Sequence, residues 1–119
     1  MYLDISNEDS LEKARTHVKS VLVGLRGNLQ RGAARYNRVS PQTGDAMSLD
    51  TDTEEPLDVR LCASADGELW FCTGDVQFDA AHGAACGSTT ICADDSDDDL
   101  TTAAADLVSQ VEDQLAFLG

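Results

Sequence analysis

Two apolar stripes with helical spacing bracket this chain, and any fold it adopts must bury both. In residues 7–31, Leu11, Ala14, Val18, Val21, Leu22, Leu25 and Leu29 recur at steps of three and four, which sets them on one helix face. In residues 99–118, Leu100, Ala104, Leu107, Val108, Val111, Leu115 and Leu118 do the same. Between the stripes the period changes to two. Leu57, Val59 and Leu61 alternate with polar neighbours, Asp66-Gly67 supplies a hairpin turn, and Leu69-Trp70-Phe71 resumes the strand. Further strands are expected over 76–78 and 89–92, with the Gly/Ala-rich run 80–87 as the connection between them. Residues 36–56 read as a loop, because Ser40-Pro41-Gln42-Thr43-Gly44-Asp45 is turn chemistry and residues 50–56 are acidic and non-periodic. A short edge strand around Met47 and Leu49 is the alternative there.

Two helices on one face of a small sheet would bury both stripes. The expected fold is therefore α+β: an N-terminal helix, a three- to four-stranded antiparallel sheet, and a C-terminal helix packed on one face. At 119 residues this is one domain over 1–119, with 42% apolar residues available for its core. Ser6 or Asn7 is placed to cap the first helix, and one of Asp97, Asp98 and Asp99 the second. Gly24 and Gly27 weaken the first helix in its middle, so a bend there or an end near Gly32 is expected.

Charge is the second constraint. The net charge is −14, unevenly divided. Residues 1–38 carry seven basic and four acidic side chains, a net of +3, whereas residues 39–119 carry Arg60 and eighteen acids, a net of −17. Such a surface repels phosphate polyanions, so direct nucleic-acid binding is not expected. No apolar run approaches the length of a membrane span, and the N-terminus shows no basic-then-apolar signal peptide, so the expected compartment is the cytoplasm. The basic first helix either neutralises the acidic half within the fold or does so across a homodimer.

The candidate sites are mostly acidic. Asp94, Asp95, Asp97, Asp98 and Asp99 form the densest cluster, and Asp50, Asp52, Glu54 and Glu55 a second patch. The first lacks the alternating spacing and closing Glu of a calcium loop. Helix capping and a solvated turn explain it locally, while a protein surface imitating a phosphate backbone needs this kind of carboxylate density. Cys62, Cys72, Cys86 and Cys92, with His82, have gaps too wide for a zinc knuckle, so no metal and no cofactor is expected. Cys62 and Cys72 would meet in a disulfide only if the hairpin register allowed it; otherwise the cysteines act as small hydrophobes. Cys86 with His82, or Asp75 and Asp79 with His82, would be the only catalytic sets, and no motif flanks them. The string Val23-Gly24-Leu25-Arg26-Gly27 is similar to the GxxG loop of KH domains, but the apolar stripe runs straight through it, as in one continuous helix.

In size, acidity and α+β pattern the chain resembles small inhibitors encoded by phages and other mobile elements, of the anti-CRISPR and anti-restriction type. The stretch from Trp70 to His82 (WFCTGDVQFDAAH) is also similar to a motif of small phage and plasmid proteins. The resemblance implies a non-enzymatic inhibitor that binds a basic protein or ribonucleoprotein complex of a host defence system, as a DNA mimic occupying a nucleic-acid channel. The competing expectation is a structural or accessory domain from a salt-adapted organism, whose acidity serves only solubility.

Overall fold

The computed structural model describes residues 1–31, 36–39, 46–49, 56–73 and 85–118. Helix α1 spans Glu8–Arg31, strands β1 to β5 span Tyr36–Val39, Ala46–Leu49, Leu57–Ala63, Leu69–Thr73 and Ala85–Ile91, and helix α2 spans Asp97–Leu118. The strands form one antiparallel sheet in the order β2-β1-β4-β3-β5. The α+β class, the two terminal helices and the antiparallel sheet between them are as the periodicity implies.

Both apolar stripes enter a single core, apart from Leu118 at the end of α2, which is 59% exposed. Leu11, Ala14, Val18, Leu22 and Leu25 of α1 meet Leu100, Ala104, Leu107, Val108 and Val111 of α2 over Leu57, Val59, Leu61, Leu69, Phe71 and Ile91 of the sheet. Each fully buried aliphatic side chain contributes roughly 1.5–3 kcal/mol relative to its exposed state. His17 tilts against Phe71 with ring centroids 5.9 Å apart, which ties α1 to β4.

The helix ends follow local hydrogen bonding. Asn7 caps α1, its side-chain oxygen accepting from the Asp9 amide (2.9 Å) and its carbonyl from Leu11 (3.1 Å). For α2 the cap is Ser96 and not one of the three aspartates. Its hydroxyl accepts from the Asp99 amide (3.1 Å), and the Asp99 carboxylate accepts from the Ser96 amide (2.9 Å). This reciprocal pair is a capping box, with Asp in the place Glu usually takes, and it leaves Asp97 and Asp98 in the first turn. Gly24 and Gly27 neither end nor interrupt α1, so the KH-like string lies inside one helix.

The hairpin forms where Asp66-Gly67 placed it. The Gly67 amide bonds the Ser64 carbonyl (3.0 Å), the Ser64 amide bonds the Glu68 carbonyl (2.9 Å), and Gly67 adopts φ +93°. A side chain is excluded there twice over, because a Cβ on Gly67 would come within 2.2 Å of the Leu3 carbonyl oxygen. The N-terminus uses that proximity. The Leu3 amide donates to Gly67 (2.7 Å) and the Leu69 amide to Met1 (2.9 Å), adding a bridge beside the hairpin tip.

Two expectations change. Residues 36–56, read as a loop, contain β1 as well as β2 around Met47 and Leu49, giving five strands where three or four were expected. Tyr36-Asn37-Arg38-Val39 is too short to show a period of two, and its pairing with β2 is irregular. The 76–78 strand lies outside the described residues. The strand expected over 89–92 starts earlier, at Ala85, within the run read as a connection. Its small residues are there for packing: a Cβ on Gly87 would lie 2.8 Å from Gln110 Cβ and 3.1 Å from the Leu107 carbonyl oxygen. Helix α2 can lie on this strand only because Gly87 has no side chain.

That close approach lets α2 cover the outer edge of the sheet. Gln110 accepts from the Ser88 amide (3.0 Å) and donates to the Ser88 carbonyl (3.0 Å); Gln114 does the same for Cys86 (2.9 and 2.6 Å). Two glutamines one helical turn apart thus occupy backbone groups of β5 that a further strand would use. An open edge is a template for unwanted pairing, and these side chains close it.

Candidate functional site

The acidic corner is the turn from β5 into α2 and the first turn of that helix. Asp95 folds back so that its carboxylate accepts from the Cys92 amide (2.9 Å), while its own amide donates to the Cys92 carbonyl (3.2 Å). Helix α1 holds the turn from the side. Arg26 donates to the Asp95 carbonyl (2.9 Å) and pairs with the Asp97 carboxylate (2.7 Å), and Gln30 donates to the Ala93 carbonyl (2.9 Å). The Arg26 side chain is only 15% exposed, while that of Asp97 is 72% exposed. The hydrogen bond from Arg26 holds the Asp97 carboxyl below its usual value of 3.8. Part of the positive charge of α1 therefore neutralises the acidic corner within one chain. Arg15 turns to its own helix, pairing with Glu8 and Glu12.

Of the five corner carboxylates, three have structural duties: Asp95 closes the turn, Asp97 pairs with Arg26, and Asp99 completes the cap. Asp94 and Asp98 are exposed with no hydrogen bond or ion pair recorded for either carboxylate among the described residues. Asp50, Asp52, Glu54 and Glu55 lie outside the described residues, as do Asp75, Asp79 and His82. The Cys86–His82 and Asp75–Asp79–His82 sets therefore have no described geometry.

Asp106 and Asp113 extend the acidic surface from the corner along α2 and are absent from the set read from the sequence. With Asp99 they recur every seven residues on the solvent side of α2, opposite the buried stripe of Leu100, Leu107 and Val111. The spacing places successive carboxylates about 10 Å apart along the helix. A heptad count over 99–113 would have found them; attention to contiguous runs of acid passes over them.

Ligand atoms of Cys92, Asp94 and Asp95 lie within 4.8 Å of one another. The Cys92 amide engages one oxygen of Asp95 without involving the Cys92 sulfur, and one sulfur with two carboxylates falls short of the four ligands of a structural zinc site. A separate open cleft of about 480 Å3 sits at the other end of α2, lined by Tyr2, Ile5, Leu115 and Leu118 with Asp4 and Asp66 among its polar groups. Each of these carboxyls is held below its usual value by a serine hydroxyl, Ser6 for Asp4 and Ser64 for Asp66. Two carboxylates both stabilised as anions do not make an acid–base pair, which requires their affinities for protons to be driven apart. No helix among the described residues is long and apolar enough to cross a membrane. Comparison with protein-family models, curated proteins and solved structures finds no match.

Proposed function

We propose that this chain is a non-enzymatic acidic inhibitor that binds a basic nucleic-acid-handling protein or ribonucleoprotein of a host defence system. One observation carries the reading. From Asp94 to Leu118 the chain holds eight carboxylates and no Lys or Arg, on a turn and helix whose position is fixed by Arg26, Gln30, Gln110 and Gln114. Six of the eight lie on the helix, which at 22 residues is about 33 Å long, so they amount to about one charge per 5–6 Å. Duplex DNA carries one per 1.7 Å and each of its strands one per about 3.4 Å. The helix thus carries roughly three fifths of the charge density of a single phosphate strand, and the rigid mounting reduces the ordering cost of binding.

A second reading has its own observation. Asp4, Glu8, Asp9, Glu12, Asp58 and Asp66 are also exposed, on the N-terminus, α1, the sheet and the β3–β4 turn. Acids on many surfaces are what a salt-adapted accessory domain would carry. The two readings separate in one experiment: cells with an active CRISPR or restriction system are challenged by phage, with and without expression of the chain. The inhibitor reading requires restored plaque formation that is lost when Asp94, Asp98, Asp106 and Asp113 are changed to Asn together. Unrestored plaque formation across a panel of such systems, with stability that climbs steadily with added salt, supports the accessory domain instead.

A further inference from the structure

The pairing of β3 with β5 sets Cys62 directly opposite Cys86. The amide and carbonyl of Cys86 are turned away from β3, since both bond the Gln114 side chain. The two cysteines therefore occupy a non-hydrogen-bonded position of an antiparallel ladder. There the Cα atoms approach to about 4.5 Å and both side chains leave the same face. A disulfide requires a Cα separation of roughly 4.4–6.8 Å. The other cysteines are worse placed. Cys72 stands opposite Arg60, diagonal to Cys62, at a separation of about 7–8 Å. Cys92 lies six residues beyond Cys86, about 20 Å along the chain.

We propose that Cys62 and Cys86 are a cross-strand redox pair, a modification site at which a small-molecule disulfide such as oxidised glutathione converts two thiols into one bond joining β3 to β5. Cys62 is fully buried and Cys86 half-buried, so the reagent meets Cys86 first. The Cys86 thiolate attacks one glutathione sulfur, the glutathione S–S bond breaks, and the leaving thiolate takes a proton. The Cys62 sulfur then attacks Cys86 Sγ in the mixed disulfide, the Cys86–glutathione S–S bond breaks, and the Cys62 proton passes to the departing glutathione, which leaves as a thiol. Two protein thiols are oxidised and one glutathione disulfide is reduced. The Cys62–Cys72 bridge that the hairpin alone suggested is disfavoured by the register.

The test uses the whole purified chain. After incubation with oxidised glutathione, remaining thiols are alkylated and the protein is cleaved before aspartate, which separates residues 58–65 (Cys62), 66–74 (Cys72) and 79–93 (Cys86 and Cys92). The expected result is a protein lighter by about 2 Da, as formation of one S–S bond removes two hydrogens. It should contain a cross-link between 58–65 and 79–93. That link should persist in Cys72→Ser and Cys92→Ser chains and vanish in Cys86→Ser. Amide exchange at Gly87 and Thr89 should slow in the oxidised protein and recover on reduction. A cross-link to 66–74, a glutathione adduct on Cys86 that never resolves, or full alkylation of all four cysteines after oxidation would each overturn the proposal.

Discussion

Replacing Gln110 and Gln114 together by alanine removes four side-chain bonds to the backbone of β5, at 2.6–3.0 Å. A protein hydrogen bond contributes about 0.5–1.5 kcal/mol net. These lie at an exposed edge where water can replace them, so the lower end applies, and alanine returns a few tenths of a kcal/mol as a better helix former. The net loss is about 1–2 kcal/mol, or roughly 4–8 °C in melting temperature for a domain of this size. Urea unfolding should show a lower midpoint with an unchanged slope, since the surface exposed on unfolding is the same. Hydrogen exchange locates the effect. Each single variant loses half of these bonds, so the Ser88 amide should exchange about 2–5 times faster in Gln110→Ala, and the Cys86 amide in Gln114→Ala. Gln110→Glu should be intermediate, because it keeps the acceptor for the Ser88 amide, loses the donor, and adds repulsion with Asp106, which Gln110 now bonds at 2.9 Å. Unchanged midpoints together with unchanged exchange at both amides would refute the reasoning that these side chains close the edge.

Other outcomes follow from single contacts. Gly67→Ala must pay for a left-handed backbone and displace the Leu3 carbonyl, with loss of the N-terminal bridge, for about 2–4 kcal/mol measured by urea unfolding. Ser96→Ala should cost about 1 kcal/mol as a lost helix cap, while Asp98→Asn, with no recorded partner, should stay within about 0.5 kcal/mol. Asp97, Asp4 and Asp66 are each held below 3.8 in the folded chain, so their contribution is present above the unfolded value and is lost as pH falls through the folded one. The urea midpoint should therefore drop below about pH 4, and Arg26→Met should remove the part due to Asp97, as carboxyl-carbon NMR titration would show directly.

Much of this fold can be read from residue spacing. The stripes of α1 and α2 extend over more than five helical turns each, and the β3–β4 hairpin combines alternation with Asp66-Gly67, so local pattern and tertiary demand agree. β1 and the first half of β5 are different. Tyr36–Val39 has too few residues for a pattern, and Ala85-Cys86-Gly87-Ser88 looks like a linker because its composition answers to α2, which presses on Gly87. Contacts between distant segments, such as Gln114 with Cys86 or Arg26 with Asp97, leave no trace in local spacing. The same holds for the candidate site. The run Asp94–Asp99 is visible as composition, but the division between Asp95, Asp97 and Asp99, which hold the corner together, and Asp94 and Asp98, which face solvent, depends on where α1 lies. Ser96 as the cap was legible in Ser96-Asp97-Asp98-Asp99, where the serine and the acid three positions later are the capping pattern.

The most direct test of the proposed function is the phage challenge of cells carrying an active CRISPR or restriction system. Expression of the chain should restore plaque formation, and the Asp94, Asp98, Asp106 and Asp113 to Asn chain should fail to do so while unfolding at the same urea concentration as the parent. Equal protection by parent and neutralised chains, or none by either across the panel, would contradict a role for this acidic surface in binding a defence complex.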